Sequence, residues 1–246
     1  MARASKASRV GSSAKHRFAR RPMSRGYDLV SLLREDIVML RLAPGTVFQE
    51  LEIAERYGSS RTPAREAIKQ LVADGFVTTS GRRYVVKVMT LAEVRELYEY
   101  REGLEVTAIR LAIERATDEE IDGLERHMHA FRKQFVAGAP EEGEAVVPSF
   151  HLEIARLSKN KKILSELEKV HMKLRMLMRI LRLESVNAID EHERIFSAIK
   201  RRDAVIAEAE LRYHTRPVVA WYEKHCAELT DGNASSATIL TLRKSA

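Results

Sequence analysis

Residues 59–75 read Ser59-Ser60-Arg61-Thr62-Pro63-Ala64-Arg65-Glu66-Ala67-Ile68-Lys69-Gln70-Leu71-Val72-Ala73-Asp74-Gly75. Thr62 reads as an N-cap with Pro63 at the first helical position, and Ala64, Ile68, Leu71 and Val72 then form one apolar face that ends near Gly75. Upstream, Leu29 or Val30, Leu33, Ile37 and Leu40 recur at three- and four-residue steps and predict a helix that stops before Leu42-Ala43-Pro44-Gly45. A short helix from about Glu50 to Tyr57 ends at Gly58, the residue type suited to a left-handed C-cap. Downstream, Phe76–Thr79 and Tyr84–Val88 are β-branched runs separated by Ser80-Gly81-Arg82-Arg83, a hairpin signal. Three helices and a hairpin over residues 26–90 make a winged helix-turn-helix.

The charges fall where that fold meets DNA. Arg61 and Arg65 stand four apart at the start of the third helix, the end that enters the major groove, and therefore project from one side. A guanidinium there pairs with guanine O6 and N7 or clamps phosphate. Lys69 continues the face, Thr62 lies within its first turn, and Gly81, Arg82 and Arg83 form the hairpin tip, within reach of minor groove or backbone. From Arg56 to Lys87 there are seven basic residues against Glu66 and Asp74. A pair such as Glu66 with Lys69 does not absorb that excess.

Composition bounds the rest. The 246 residues allow two modest domains, and only 11 glycines argue against a Gly-rich nucleotide-cradling fold. The single Cys226 excludes an internal disulfide framework, and no apolar run approaches the roughly 20 residues of a membrane helix, which predicts a cytoplasmic protein with no membrane partner. The net charge of +7 is a property of the N-terminus. Residues 1–25 hold eight basic residues and no acid, leaving the remainder at −1. That stretch reads as a disordered basic tail, solvated first, a phosphate-contacting arm second and a transit peptide last, since it lacks an amphipathic stripe. Residues 231–246 read as a flexible C-terminal tail.

Residues 91–230 read almost wholly as helix: Leu91–Ala116, Asp118–Val136 after Thr117, His151–Leu157, Ile163–Leu183, Ile189–Ile199 and Ala204–Leu229, with a loop from Pro140 to Pro148. Asn160, Ser185 and Asp203 are cap signals, and Pro217 predicts a kink or a restart in the last segment. The fold class is mostly α: an N-terminal winged helix-turn-helix plus a C-terminal all-α bundle for effector binding and dimerisation. On the long helix, His171, Arg175, Arg179 and Arg182 line one side, facing solvent or joining a pocket at the His171 end.

Leu42–Gly45, Leu51–Gly58, Ser60–Ile68, Leu71 and Asp74–Val77 together resemble the DNA-binding domain of GntR-type transcriptional regulators. The resemblance implies that Arg61 and Arg65 contact the operator and that the tip around Gly81 is the wing. Leu51 stands where such proteins usually carry a basic residue, and Arg83 where they carry a glycine. From Leu97-Tyr98-Glu99-Tyr100-Arg101 and Glu105 onward, the second half resembles the FCD ligand-binding domain of the FadR branch. There an acid and three histidines hold a divalent metal that receives a carboxylate effector. His151, His192 and His214 match the three histidines, whereas the acid position, four residues before His151, is Val147. Zn, Ni or Mn on three histidines alone is a weaker site. The alternative is that the three histidines meet an acidic effector directly, and metal stays ahead because all three positions persist. Arg101 is the better-motivated effector contact and Arg175 the second.

The resemblance implies a homodimeric repressor on a double-stranded DNA operator, released by a small carboxylate, with a hinge at Val86–Glu93. One short recognition helix makes too few contacts for tight specific binding, and two copies double them. The rivals are a three-histidine metalloenzyme, which leaves the arginines and hairpin without purpose, and an architectural DNA-binding protein with a vestigial pocket.

Overall fold

The computed structural model describes residues 28–136, 150–181 and 188–229. The N-terminal unit runs α1 (Leu29–Val38), β1 (Val47–Phe48), α2 (Glu50–Tyr57), α3 (Arg61–Ala73), β2 (Val77–Ser80) and β3 (Arg83–Val86). Asp28 starts α1 by accepting from the Ser31 backbone N–H at 2.6 Å, and Leu29, Leu32, Leu33 and Ile37 turn inward. Gly58 ends α2 in the left-handed conformation, φ 65°, as its position before α3 requires.

Two details differ from the sequence reading. The N-cap of α3 is Ser60, not Thr62, and the helix already begins at Arg61. Pro63 therefore sits at the third helical position, where its missing N–H is still one of the donors a helix start leaves unpaired. The strands also extend further toward the tip than predicted. Ser80 pairs with Arg83, leaving Gly81-Arg82 as a two-residue turn. Gly81 takes φ +59° while Arg82 keeps a negative φ, the requirement of a type II′ turn.

A third strand was not predicted. β1 pairs antiparallel with β3, giving the order β1-β3-β2, and Phe48 stacks on Tyr84 at 6.0 Å between ring centroids. Asp36, fully buried on α1, accepts from Arg41 at 2.8 Å, Arg56 and Tyr57 at 2.7 Å, which ties α1 to α2. Burial pushes its carboxyl up, but the hydrogen bonds from Arg41, Arg56 and Tyr57 outweigh burial and hold it below the ordinary range.

The second unit comprises α4 (Leu91–Arg115), α5 (Asp118–Val136), α6 (150–157), α7 (Lys161–Leu181), α8 (Ala188–Lys200) and α9 (Ala204–Leu229). Thr90 and Glu93 open α4 with a reciprocal capping box, and Lys87 pairs with Glu93 at 2.6 Å across the junction. Asn160 caps α7 and Asp203 caps α9 as predicted. α9 is continuous through Pro217, so no helix restarts there. The loop read at Pro140–Pro148, Ser185, Arg182 and both termini lie outside the described residues.

Packing joins the halves. Val94 and Tyr98 of α4 and Val170, Leu174, Met176 and Leu177 of α7 belong to the same apolar core as Leu33, Ile37, Ile68, Leu71 and Phe76 of the N-terminal unit. The far half of α4, with Ile109 and Ala112, enters a second core with Ile154, Leu167, Ile195 and Leu211. α4 and α7 thus span both cores, and the pocket described below lies along them.

Candidate nucleic-acid interface and effector pocket

On α3, Ala64, Ala67, Ile68 and Leu71 are buried, and Arg61, Thr62, Arg65 and Lys69 are exposed. The helical period that builds the core thereby displays the basic face. Gly81, Arg82 and Arg83 are likewise exposed on the wing. Lys69 pairs with Glu66 at 2.9 Å, the weak surface pair that the spacing predicts. Arg65 is engaged in a way spacing did not reveal. Its Nε and Nη2 donate to the two carboxylate oxygens of Glu50 on α2, at 2.9 and 3.0 Å, and the Tyr84 hydroxyl donates to the same carboxylate at 3.3 Å.

The pocket is an enclosed ring of ionisable groups drawn from five helices. His151 (α6), His192 (α8) and His214 (α9) each offer a ring nitrogen within 4.8 Å of the others. Arg101 and Glu105 come from α4 and His171 from α7, and these six side chains belong to residues only 2–8% exposed. Phe150 stacks on His192 at 4.5 Å and meets His151 edge-on at 5.4 Å, giving the cluster an apolar wall.

The hydrogen bonds fix which nitrogens face inward. Glu105 Oε1 accepts from Arg101 Nε at 2.8 Å and from His171 Nε2 at 3.0 Å. Arg101 Nη2 can only donate, so its 3.0 Å contact makes His151 Nε2 the acceptor. His151 is neutral: burial drives its pKa down to about 3, although Glu105 opposes the shift. Its proton therefore sits on Nδ1, 3.2 Å from Glu105 Oε2. His214 Nδ1 lies 2.7 Å from Glu191 Oε2, and its Nε2 faces His192 Nε2 at 3.3 Å.

That contact needs a proton on one of the two nitrogens or a cation in its place. Two of the three histidines are backed by carboxylates, the pattern that orients imidazoles toward a metal. His151, His192 and His214 are the donor types that hold Zn, Ni or Mn, but His151 Nε2 could join such a set only once the Arg101 guanidinium had left it. Arg101 stands on the same side of His151 as a metal would, so a bound cation would need an anion beside it.

Burial likewise lowers the pKa of His192 well below the ordinary histidine value and that of His171 to a lesser degree. Burial raises Glu105, but the Arg101 charge and His151 outweigh it and hold the carboxyl well below the usual range. Groups whose folded pKa is depressed cost stability once the unfolded chain starts to take up protons that the folded chain refuses. For metal-free protein the urea midpoint should therefore begin to fall as pH drops below about 6.5, the unfolded histidine value, and fall further through the carboxylate range near 4. A midpoint flat from pH 7 to 5 would show that the histidines are not held neutral.

Arg101 lies within the cluster, as the sequence reading expected. Arg175 is half-buried one turn beyond His171, and the α7 residue seen to join the cluster is His171 itself. Val147 lies outside the described residues. Glu105, Glu191 and Glu50 are functional neighbours that the sequence does not mark, beyond the place of Glu105 beside Arg101. Their partners are 23 or more residues away or on other helices, so no local spacing signals the contacts.

A helix-turn-helix head therefore shares a core with helices that enclose a cluster of histidines and paired charges. Residues 27–86 match the family described as bacterial regulatory proteins, gntR family, and residues 96–216 match the FCD domain. The chain is 33% identical over 146 residues to an Nta operon transcriptional regulator of Aminobacter aminovorans, covering 56% of this chain and 66% of that one. It is 31% identical over 180 residues to the uncharacterised HTH-type transcriptional regulator YdhC of Bacillus subtilis, 70% of this chain and 79% of the relative. It is 26% identical over 193 residues to the HTH-type transcriptional repressor RspR of Escherichia coli, 76% and 84% of the two chains. The fold superposes on Escherichia coli McbR/YncC with a TM-score of 0.67 at 21% identity, over 80% of this chain and 96% of that one. The chain belongs to the GntR family of bacterial transcriptional regulators and carries an FCD domain. It is a regulator rather than an enzyme, so the metalloenzyme alternative falls away.

Proposed function

We propose that the chain is a homodimeric repressor which binds a palindromic operator through Arg61, Thr62, Arg65, Lys69, Gly81, Arg82 and Arg83 and releases it when a small carboxylate enters the pocket. The observation that carries the sensing half is the inward-facing set of His151, His192 and His214 beside the Arg101 guanidinium. A divalent metal on the three histidines would supply a Lewis-acid anchor for the effector. Arg101 would pair with its carboxylate, as a planar donor fork suits. A relative named as a repressor supports the direction of control.

The coupling follows from shared elements. An effector that draws Arg101 away from Glu105 or His151 perturbs α4 and, through His171, α7, and both helices carry side chains of the N-terminal core. Unequal affinity of the effector for the two arrangements then shifts operator affinity, typically by about 1–3 kcal/mol.

Titration of metal-free protein with Zn²⁺, Ni²⁺ and Mn²⁺ by calorimetry tests the site. About one ion per chain is expected, and His192→Ala should abolish binding. Adding a panel of small carboxylates to the loaded protein should weaken its hold on a selected operator duplex by about 5- to 150-fold for the matching acid. No uptake of any of the three ions would remove the metal from the account. No effect of any acid on operator binding would remove the release step.

A further inference from the structure

We propose that Glu50, backed by Tyr84, is a specificity-determining positioning residue: it grips the Arg65 guanidinium side-on so that its free end is presented to a guanine. The inference rests on the reading of α3 as the recognition helix. A guanidinium has five N–H donors in a rigid plane. Glu50 takes the Nε–H through Oε1 at 2.9 Å and one Nη2–H through Oε2 at 3.0 Å. That fork leaves the second Nη2–H and both Nη1–H groups, and the second Nη2–H with the Nη1–H beside it forms the end edge of the plane. Two parallel donors on that edge match O6 and N7 of guanine in the major groove.

The carboxylate is itself held. Tyr84 on β3 donates its hydroxyl to Glu50 Oε1 at 3.3 Å, and its ring stacks on Phe48, which is 1% exposed. One carboxylate on the preceding helix therefore meets side chains of both the recognition helix and the wing strand. An arginine already immobilised gives up less rotamer freedom on binding, so its contact selects more sharply. The hydrogen bond from Arg65 lowers the Glu50 pKa, which keeps the fork ionised.

The acid also has a cost that tells the reading apart from its rivals. A carboxylate turned toward DNA repels phosphate, so an arginine meant only to clamp the backbone would bind better without it. Removing Glu50 should therefore move specific and non-specific binding in different directions. A plain surface ion pair would move neither.

The test uses the full chain and a duplex enriched by the wild-type protein from a random pool. Affinities are measured for wild type, Glu50→Gln, Arg65→Ala and the double variant, on the enriched duplex, on copies with each guanine in turn replaced by 7-deazaguanine, and on random duplex. Glu50→Gln should weaken the enriched duplex by about tenfold and leave random duplex as tight or tighter. One 7-deazaguanine position should weaken wild type but cost Glu50→Gln and Arg65→Ala little, because the N7 contact is already impaired. Tyr84→Phe should shift binding in the same direction by less. Equal loss on all duplexes, or no change, overturns the role of Glu50. If Arg65→Ala still loses selectivity then, the recognition helix stands and only the buttress falls; if wild type enriches no sequence, both fall.

Discussion

Arg65→Ala is expected to erase preference for the operator over random duplex while leaving the fold and the dimer intact. The side chain lies on the exposed face of α3, opposite Ala64, Ile68 and Leu71, so truncation opens no cavity. Its ion pair is with Glu50, and an exposed pair of that kind contributes little to stability. A lost bidentate base contact lowers affinity by about 5- to 150-fold. In a symmetric dimer the loss occurs in both half-sites, so operator affinity should fall by roughly 25-fold to twenty-thousand-fold. Binding to random duplex, which is set by the count of neutralised phosphates, should change far less. Competition binding with size-exclusion and circular dichroism controls measures all three. Retained selectivity in a folded dimer would show that α3 does not read the bases through this residue.

Glu105→Leu should be the most damaging substitution in the pocket. Glu105 accepts from Arg101 and His171 through one oxygen and lies 3.2 Å from His151 through the other, and the carboxylate is enclosed. Removing it strands the Arg101 guanidinium without a counter-charge in a site closed to water. Breaking one partner of a buried pair costs about 3–5 kcal/mol, a large share of a domain's stability. The urea midpoint should drop accordingly, and the variant should no longer answer to an effector. The double variant Arg101→Leu with Glu105→Leu should recover much of the loss, since apolar side chains of similar volume replace both charges. A single-variant cost below about 1 kcal/mol would show that water reaches Arg101 and that the pocket is not the closed site described.

The winged unit was legible because its signals are local. The apolar steps of α1, Gly58 after α2 and Gly81 in the hairpin each act within a few residues. β1 escaped notice because Val47-Phe48 has no strand pattern of its own and is a strand only through pairing with Val85 and Tyr84. The start of α3 was misplaced by two residues because Ser60 and Thr62 are both competent caps and Pro63 is tolerated at any of the first helical positions. In the second half, helical period located α4 to α9, but not which polar residues they bury together. His151, His192 and His214 came from a family likeness, and the structure brings them within reach of one metal ion. The tautomers, the carboxylates behind two of the rings and the anchoring of His171 depend on distances between helices, which spacing along one helix does not encode.

The central claim is that paired arginine-bearing heads read a two-fold symmetric DNA sequence. Sequencing the duplexes that the full chain retains from a random pool at moderate salt addresses it most directly. The expected pool carries an inverted repeat with a guanine at one fixed position in each half, lost from the pool retained by Arg65→Ala. A pool with no enriched sequence, or one in which Arg65→Ala recovers the same repeat, would contradict it.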